Sequence, residues 1–147
     1  MTDMVASLTQ KDGSIEDRVW NILGQIYVPK SRSETSTSWH ATLPPGTFVP
    51  PHIHPNQDEF VYILTGELDY VLDGQEGTAK AGDMLCMPKG LPHGLFNRSA
   101  NEVTTLFWVS PSDKIWELFE TLHNMSDPEE VVKVSANFAV NFLPSPA

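Results

Sequence analysis

His52 and His54 place two imidazoles two residues apart, and Glu59 follows across Pro55, Asn56 and Gln57. On an extended backbone side chains alternate with a period of two, so the two histidines share one side. Pro-Asn-Gln is a turn signal, and the carboxylate beyond it supplies a third possible ligand from one short segment. A fourth must come from elsewhere, and His93 is the best candidate. Three neutral imidazole nitrogens and one carboxylate oxygen suit one divalent transition metal: Fe, Mn, Ni, Zn or Cu. Four protein ligands around an octahedral ion leave two positions open to substrate, water or O₂, whereas a structural site is closed. Asp58 should face away from Glu59, toward solvent or a backbone amide. His40 and His123 stand apart and read as structural or surface residues.

The elements that must position this group read as short strands. Residues 18–28 form a strand candidate with Gly24 as a possible bulge. Residues 30–37 are a Ser/Thr-rich loop, and residues 38–43 a short strand stopped by Pro44-Pro45-Gly46. Residues 47–54 are extended but broken by proline, which suits an edge or rim. Residues 59–64 are the strongest strand, apolar on both faces after Glu59 and so expected to be covered on both sides. Further strands are expected over 67–72, 77–80, 83–87, 93–98 and 102–110, with a tight turn at Asp73-Gly74. The period then changes to a helical one. Ser112 can cap a helix over 113–123 with an apolar stripe of Ile115, Trp116, Leu118, Phe119 and Leu122, which reads as a docking face. Asp127-Pro128-Glu129-Glu130 opens a second helix. The apolar pair Phe142 and Leu143 should dock the tail.

The chain has 147 residues, 40% of them hydrophobic and 19% charged, an ordinary globular composition. A formal net charge of −10 argues against nucleic acid and anionic membranes as partners. The single cysteine, Cys86, excludes an internal disulfide framework and reads as a buried packing residue. With no signal-peptide pattern and no long apolar run, a cytoplasmic location is expected. Tyr62 and Tyr70 are candidate acid/base groups, though packing suits either. Trp39, Phe48, Phe60, Phe96, Phe107 and Trp108 are expected mostly in the core, with a few lining a pocket.

The spacing carries a family resemblance. Gly46, five residues, His52, one, His54, four, Glu59, six, Gly66 matches the first cupin motif. Gly82, five residues, Pro88, one, Gly90, two, His93, three, Asn97 matches the second. The chain resembles a single-domain cupin (a monocupin), with the likeness extending over about residues 18–110. The resemblance implies an all-β fold, a double-stranded β-helix or jelly-roll barrel with short C-terminal α-helices. The domain plan is then an N-terminal arm over 1–17, a barrel over 18–110 and a helical extension over 111–147 packed on it. It further implies His52, His54, Glu59 and His93 as metal ligands, and Gly90 and Asn97 as structural positions.

Cupins carry many functions. The intact three-His, one-Glu set favours a metal-dependent dioxygenase similar to quercetin dioxygenase, acting on an enol, phenol or dicarbonyl, with Glu59 as ligand or base. An O₂-independent lyase or isomerase using the metal as Lewis acid is the alternative, and a metabolite-binding module is a third reading. The partner is a small molecule. Surplus apolar surface predicts a homodimer.

Overall fold

A computed structural model describes residues 4–144; residues 1–3 of the expected arm and 145–147 of the expected extension lie outside the described residues. The strands are β1 (Trp20–Ile22), β2 (Gln25–Arg32), β3 (Thr37–Leu43), β4 (Phe48–Ile53), β5 (Asp58–Thr65), β6 (Glu67–Leu72), β7 (Gln75–Lys80), β8 (Met84–Met87), β9 (His93–Phe96), β10 (Val103–Ser110) and β11 (Asn141–Phe142). Two helices, α1 (Ile115–Leu122) and α2 (Pro128–Asn137), separate the last two strands. One sheet has the order β1-β2-β3-β10-β5-β8 and the other β11-β4-β9-β6-β7. All pairings given for these strands are antiparallel. This is the expected all-β jelly roll with short helices near the end of the chain.

Alternation builds the core. On β3 Thr37, Trp39, Ala41 and Leu43 face in; on β10 Val103, Thr105, Phe107 and Val109 do so. These two strands pair directly, so Trp39 lies opposite Phe107 and their rings stack at 5.5 Å. On β5 Glu59, Val61 and Ile63 are buried, while Tyr62 and Leu64 are exposed. The second cover expected for β5 is therefore not supplied by the described residues of this chain. Its outer face carries Phe60 stacked on Trp108 at 5.2 Å, both half-buried, beside exposed Met84 and Cys86. Cys86 departs from its expected packing role because Leu85 and Met87 take the inward positions of β8 and the residue between them must face out.

Several local expectations are corrected. Residues 18–28 are not one bulged strand. Leu23 and Gly24 form a two-residue turn, with φ of 49° and 87°, between β1 and β2. The strand after it runs on to Arg32, into the expected loop. β4 is not the outermost strand, since β11 pairs with it at His52 and Ile53. Its prolines sit where the pairing with β9 shifts register between Val49 and His52. Ser112 does not cap α1. Its hydroxyl donates to the Ser33 carbonyl and shares a hydrogen bond with the Thr37 hydroxyl at 2.7 Å, and Lys114 takes the cap position without a side-chain bond. Asp127 caps α2 as expected, accepting from the Glu129 amide at 3.0 Å. The described part of the arm is tied down. Lys30 Nζ donates to the carbonyls of Gln10, Lys11 and Gly13 at 2.9, 2.9 and 2.6 Å.

The helices close one end of the jelly roll. The stripe of Ile115, Trp116, Leu118, Phe119 and Leu122 is buried. Trp20 meets Trp116 edge-on at 4.9 Å, and Phe119 packs within 5.1 Å of the Tyr27 ring and 5.0 Å of the Trp39 ring. His123 Nδ1 accepts from the Asn21 amide at 2.9 Å and joins α1 to β1, a structural role as expected.

Gly66 shows what a motif glycine does. Its φ is 86°, and a Cβ there would stand 2.9 Å from Val103 Cγ2, on a residue with no exposure. Gly66→Ala is expected to lower stability by about 1–3 kcal/mol through backbone strain alone, read by equilibrium denaturation. Unchanged stability would contradict this account.

Candidate metal centre

The two sheets meet at the site. His52 lies on β4, and His54 follows one residue beyond its end; the chain then crosses to the other sheet, where Glu59 lies on β5. His93 opens β9 directly opposite His52. Ile53 between the histidines is half-buried while both imidazoles are buried, which is the period-two reading. Asp58 faces the other way and accepts from the Lys89 amide at 2.9 Å. The turn at Pro88–Gly90 is held to the site, since the Gly90 amide donates to the His54 carbonyl at 2.9 Å with φ of 81° at Gly90. Asn97 is structural: its side-chain amide donates to the carbonyls of Leu43 and Asn101.

One ligand atom from each of His52, His54, Glu59 and His93 lies within 4.8 Å of the others. All four residues are at most 5% exposed. His52 Nε2 and His54 Nε2 are 3.1 Å apart, and His54 Nε2 lies 2.9 Å from Glu59 Oε2. Ligands at right angles around an ion at about 2.1 Å sit about 3.0 Å apart, so these separations fit a shared ion. The remaining ring nitrogens set the tautomers. His52 Nδ1 faces the Pro50 carbonyl at 2.9 Å, and His54 Nδ1 faces Gln57 Oε1 at 2.9 Å. Gln57 is itself oriented, because its Nε2 donates to the carbonyls of Pro111 and Ser112 at 3.1 and 2.8 Å. An Nδ1–H in each ring leaves the Nε2 lone pair aimed at the centre of the cluster.

In the metal-free cluster the electrostatics favour neutral rings at His52 and His93 and a protonated ring at His54. Burial pushes the His52 imidazole down to about 3, with the neighbouring His93 and His54 adding to it. Burial likewise lowers His93. Burial would raise Glu59, but the His54 charge and hydrogen bond outweigh it and hold the carboxyl at about 2. Burial would lower His54, yet the Glu59 carboxylate raises it overall. Neither ring nitrogen of His93 has a partner of good hydrogen-bond geometry among the described residues, although the Leu91 backbone lies close by. A buried polar group left so costs about 1–3 kcal/mol, and a bound cation offsets that cost. Four preformed donors of this chemistry, one of them orphaned, fit a divalent metal.

The site opens onto an apolar cavity of about 80 Å³, several times the roughly 10–15 Å³ that one water needs. Its walls include Trp39, Phe107, Leu95 and Phe142, and the helices contribute Leu118, Phe119, Leu122 and Val131. The α1 stripe is therefore both a docking face and a cavity wall. Tyr62 and Tyr70, the expected acid/base candidates, do not line this cavity; Tyr27 does, and its hydroxyl donates to Gln25 Oε1 at 2.7 Å. Of the aromatic residues, Trp39 and Phe107 are core, whereas Phe48 is 52% exposed yet reaches the rim, stacked on half-buried Phe96. Gln57 had a faint signal, a polar residue three positions after His54 in the turn; Gln25 and Tyr27 had none before the turn at Leu23-Gly24 set their parity.

Comparison with known proteins adds a name to this geometry. A family model described as a cupin domain matches residues 39–110. That likeness to a cupin domain covers just under half of the chain. The chain is similar to the polyketide synthase CurC of Streptomyces cyaneus, 34% identical over 48% of this chain and 46% of that protein. It is also similar to the tetracenomycin polyketide synthase protein TcmJ of Streptomyces glaucescens, 31% identical over 49% of this chain and 48% of that protein. The match thus spans about half the length of these curated relatives. Among solved structures, an RmlC-like cupin from Shewanella frigidimarina superposes with a TM-score of 0.68 at 16% identity, over 78% of this chain and 99% of that one, a likeness of fold. The matched segment contains all four cluster residues, while several cavity-wall residues come from the helices beyond it. No helix among the described residues is long and apolar enough to cross a membrane.

Gln57 gives the sharpest check on how the fold prepares the cluster. Gln57→Leu removes the acceptor of His54 Nδ1 and is expected to weaken Zn²⁺ or Mn²⁺ binding about 10–100-fold with the stoichiometry unchanged, measured by competitive chelator titration. Unaltered affinity would show that this support is not used.

Proposed function

We propose that this protein is a metal-dependent enzyme acting on a small enol, phenol or dicarbonyl substrate, with a dioxygenase of the quercetin dioxygenase-like type as the leading reading. The observation that carries it is the buried His52, His54, Glu59 and His93 group, of which His52, His54 and Glu59 line an apolar, aromatic cavity. A divalent metal held there would supply Lewis acidity and open positions for substrate oxygens and O₂. The other contributions come from the chain. Glu59, whose carboxylate a bound cation would keep ionised, is the group of this site able to take the proton of an enol or phenol. Trp39, Phe107 and Phe119 offer flat faces that orient a planar substrate, and the apolar wall excludes water. Burial, and then the Glu59 charge, push the Tyr27 phenol up, so it stays protonated and keeps its hydrogen bond to Gln25 on the cavity wall.

The buried Glu59 carboxylate beside the imidazole cluster also favours a second reading: an O₂-independent lyase or isomerase in which Glu59 takes and returns a substrate proton. The curated relatives named as polyketide synthase proteins support dicarbonyl chemistry under either reading. The two are separated by turnover of a panel of 1,3-diketones and catechols, with and without oxygen, by protein loaded with Fe, Mn, Ni, Zn or Cu. The leading reading expects one O₂ consumed per product, and a loss of roughly 10²-fold or more in kcat for Glu59→Gln. Product without O₂ uptake selects the second reading, and no turnover with any metal overturns both.

A further inference from the structure

A second set of polar atoms faces the requirements of the same cavity and is not used by the metal centre. Ser135 on α2 is 1% exposed, and its hydroxyl has no hydrogen-bond partner among the described residues. A serine inside a helix often bonds back to the carbonyl four residues earlier, and Ser135 leaves that bond unmade. Trp39 on β3 is 3% exposed, and its Nε1, which can only donate, is also unpartnered. Gln25 on β2 accepts from Tyr27 through Oε1, which leaves its amide nitrogen as a donor. All of these residues line the cavity that His52, His54 and Glu59 line.

Leaving such groups unpaired costs about 1–3 kcal/mol each, so a cavity ligand that engages them gains what the empty fold lacks. The set is rich in donors: an indole N–H, an amide NH₂ and a hydroxyl. Its complement is an acceptor, a carbonyl or phenolic oxygen. The surroundings fix the shape of what carries it. Trp39 and Phe107 are parallel within 3°, and Phe119 stands edge-on to Trp39, so the wall presents flat rings.

We propose that the unpartnered donors of Trp39 and Ser135, with the Gln25 amide on the same wall, make a second recognition pole for carbonyl or hydroxyl oxygens of an aromatic substrate whose other oxygens reach the His52, His54, Glu59 and His93 group. This rests on the reading that the group holds a metal and accepts oxygen ligands. It narrows the substrate class to polyoxygenated aromatics bearing oxygens at two separated ends. Ser135 ties that selectivity to α2, an element outside the matched segment, so chains with the same metal ligands and a different helical segment would select different substrates.

The test uses the Zn²⁺-loaded full chain under anaerobic conditions, with 2,3-dihydroxynaphthalene and its 6-hydroxy derivative as probes, and reads affinity by calorimetry. The added hydroxyl is expected to tighten binding roughly three- to tenfold in the native protein. Ser135→Ala and Trp39→Phe should each shrink that ratio, with Zn²⁺ stoichiometry unchanged. Alanine is the best helix former, so Ser135→Ala keeps the test decisive even if Trp39→Phe disturbs the ring stack. Equal affinities for the two probes, or a ratio that survives Ser135→Ala, would overturn the pole while leaving the chelating reading intact. Binding of neither probe would overturn the chelating reading and the pole together.

Discussion

Three imidazoles and a carboxylate, all buried, share a space of less than 5 Å, and that constraint organises the molecule. No proton arrangement satisfies them all. If His54 is protonated it bonds Glu59, but His52 and His93 are then pushed toward the neutral form, and His93 keeps no hydrogen-bond partner of good geometry among the described residues. A divalent cation satisfies every member at once, since each lone pair gains a partner and the carboxylate gains a counter-charge. The surrounding structure keeps the four from relaxing apart. The direct pairing of His52 with His93, the Gln57 brace on His54, and the Gly90 amide on the His54 carbonyl each hold one side of the cluster.

The fold serves that constraint through its two sheets. β4 and β9 bring two histidines from one sheet, the crossover after His54 delivers Glu59 from the other, and the core strands β3 and β10 carry the aromatic wall beside them. The helices then close the cavity with apolar side chains instead of leaving the cluster in water. A cation in such a setting interacts strongly with ligands, because the low-dielectric wall screens little. The protein thus combines a cluster of metal-ligating groups with an apolar vestibule.

Much of this was legible in the residues, for identifiable reasons. His52, His54 and Glu59 could be read because their placement depends on local rules, period-two alternation and the Pro55–Gln57 segment, and Asp58 follows from the same logic. His93 and Asn97 were legible through the spacing of the second motif. What could not be read depends on tertiary placement. The stripe on α1 announced that it docks, but not that it docks over a cavity. Tyr27 and Gln25 were hidden because a two-residue turn at Leu23-Gly24 had been read as a bulge, and parity beyond it was open. Ser112 has the composition of a helix cap, yet tertiary bonds to Ser33 and Thr37, and the Gln57 bond to its carbonyl, draw it into the scaffold of the site. The apolar outer residues of β5 predicted a cover that the described residues of this chain do not provide.

The central claim is that the four cluster residues hold one divalent metal. X-ray absorption on protein purified without chelators, with metal content determined on the same sample, tests it most directly. The account predicts close to one first-row metal per chain, with a shell of nitrogen and oxygen ligands at about 2.0–2.2 Å that includes the multiple-scattering signature of three imidazoles. Protein that carries no metal and takes none up on addition, or metal bound in a shell without imidazole, would contradict it.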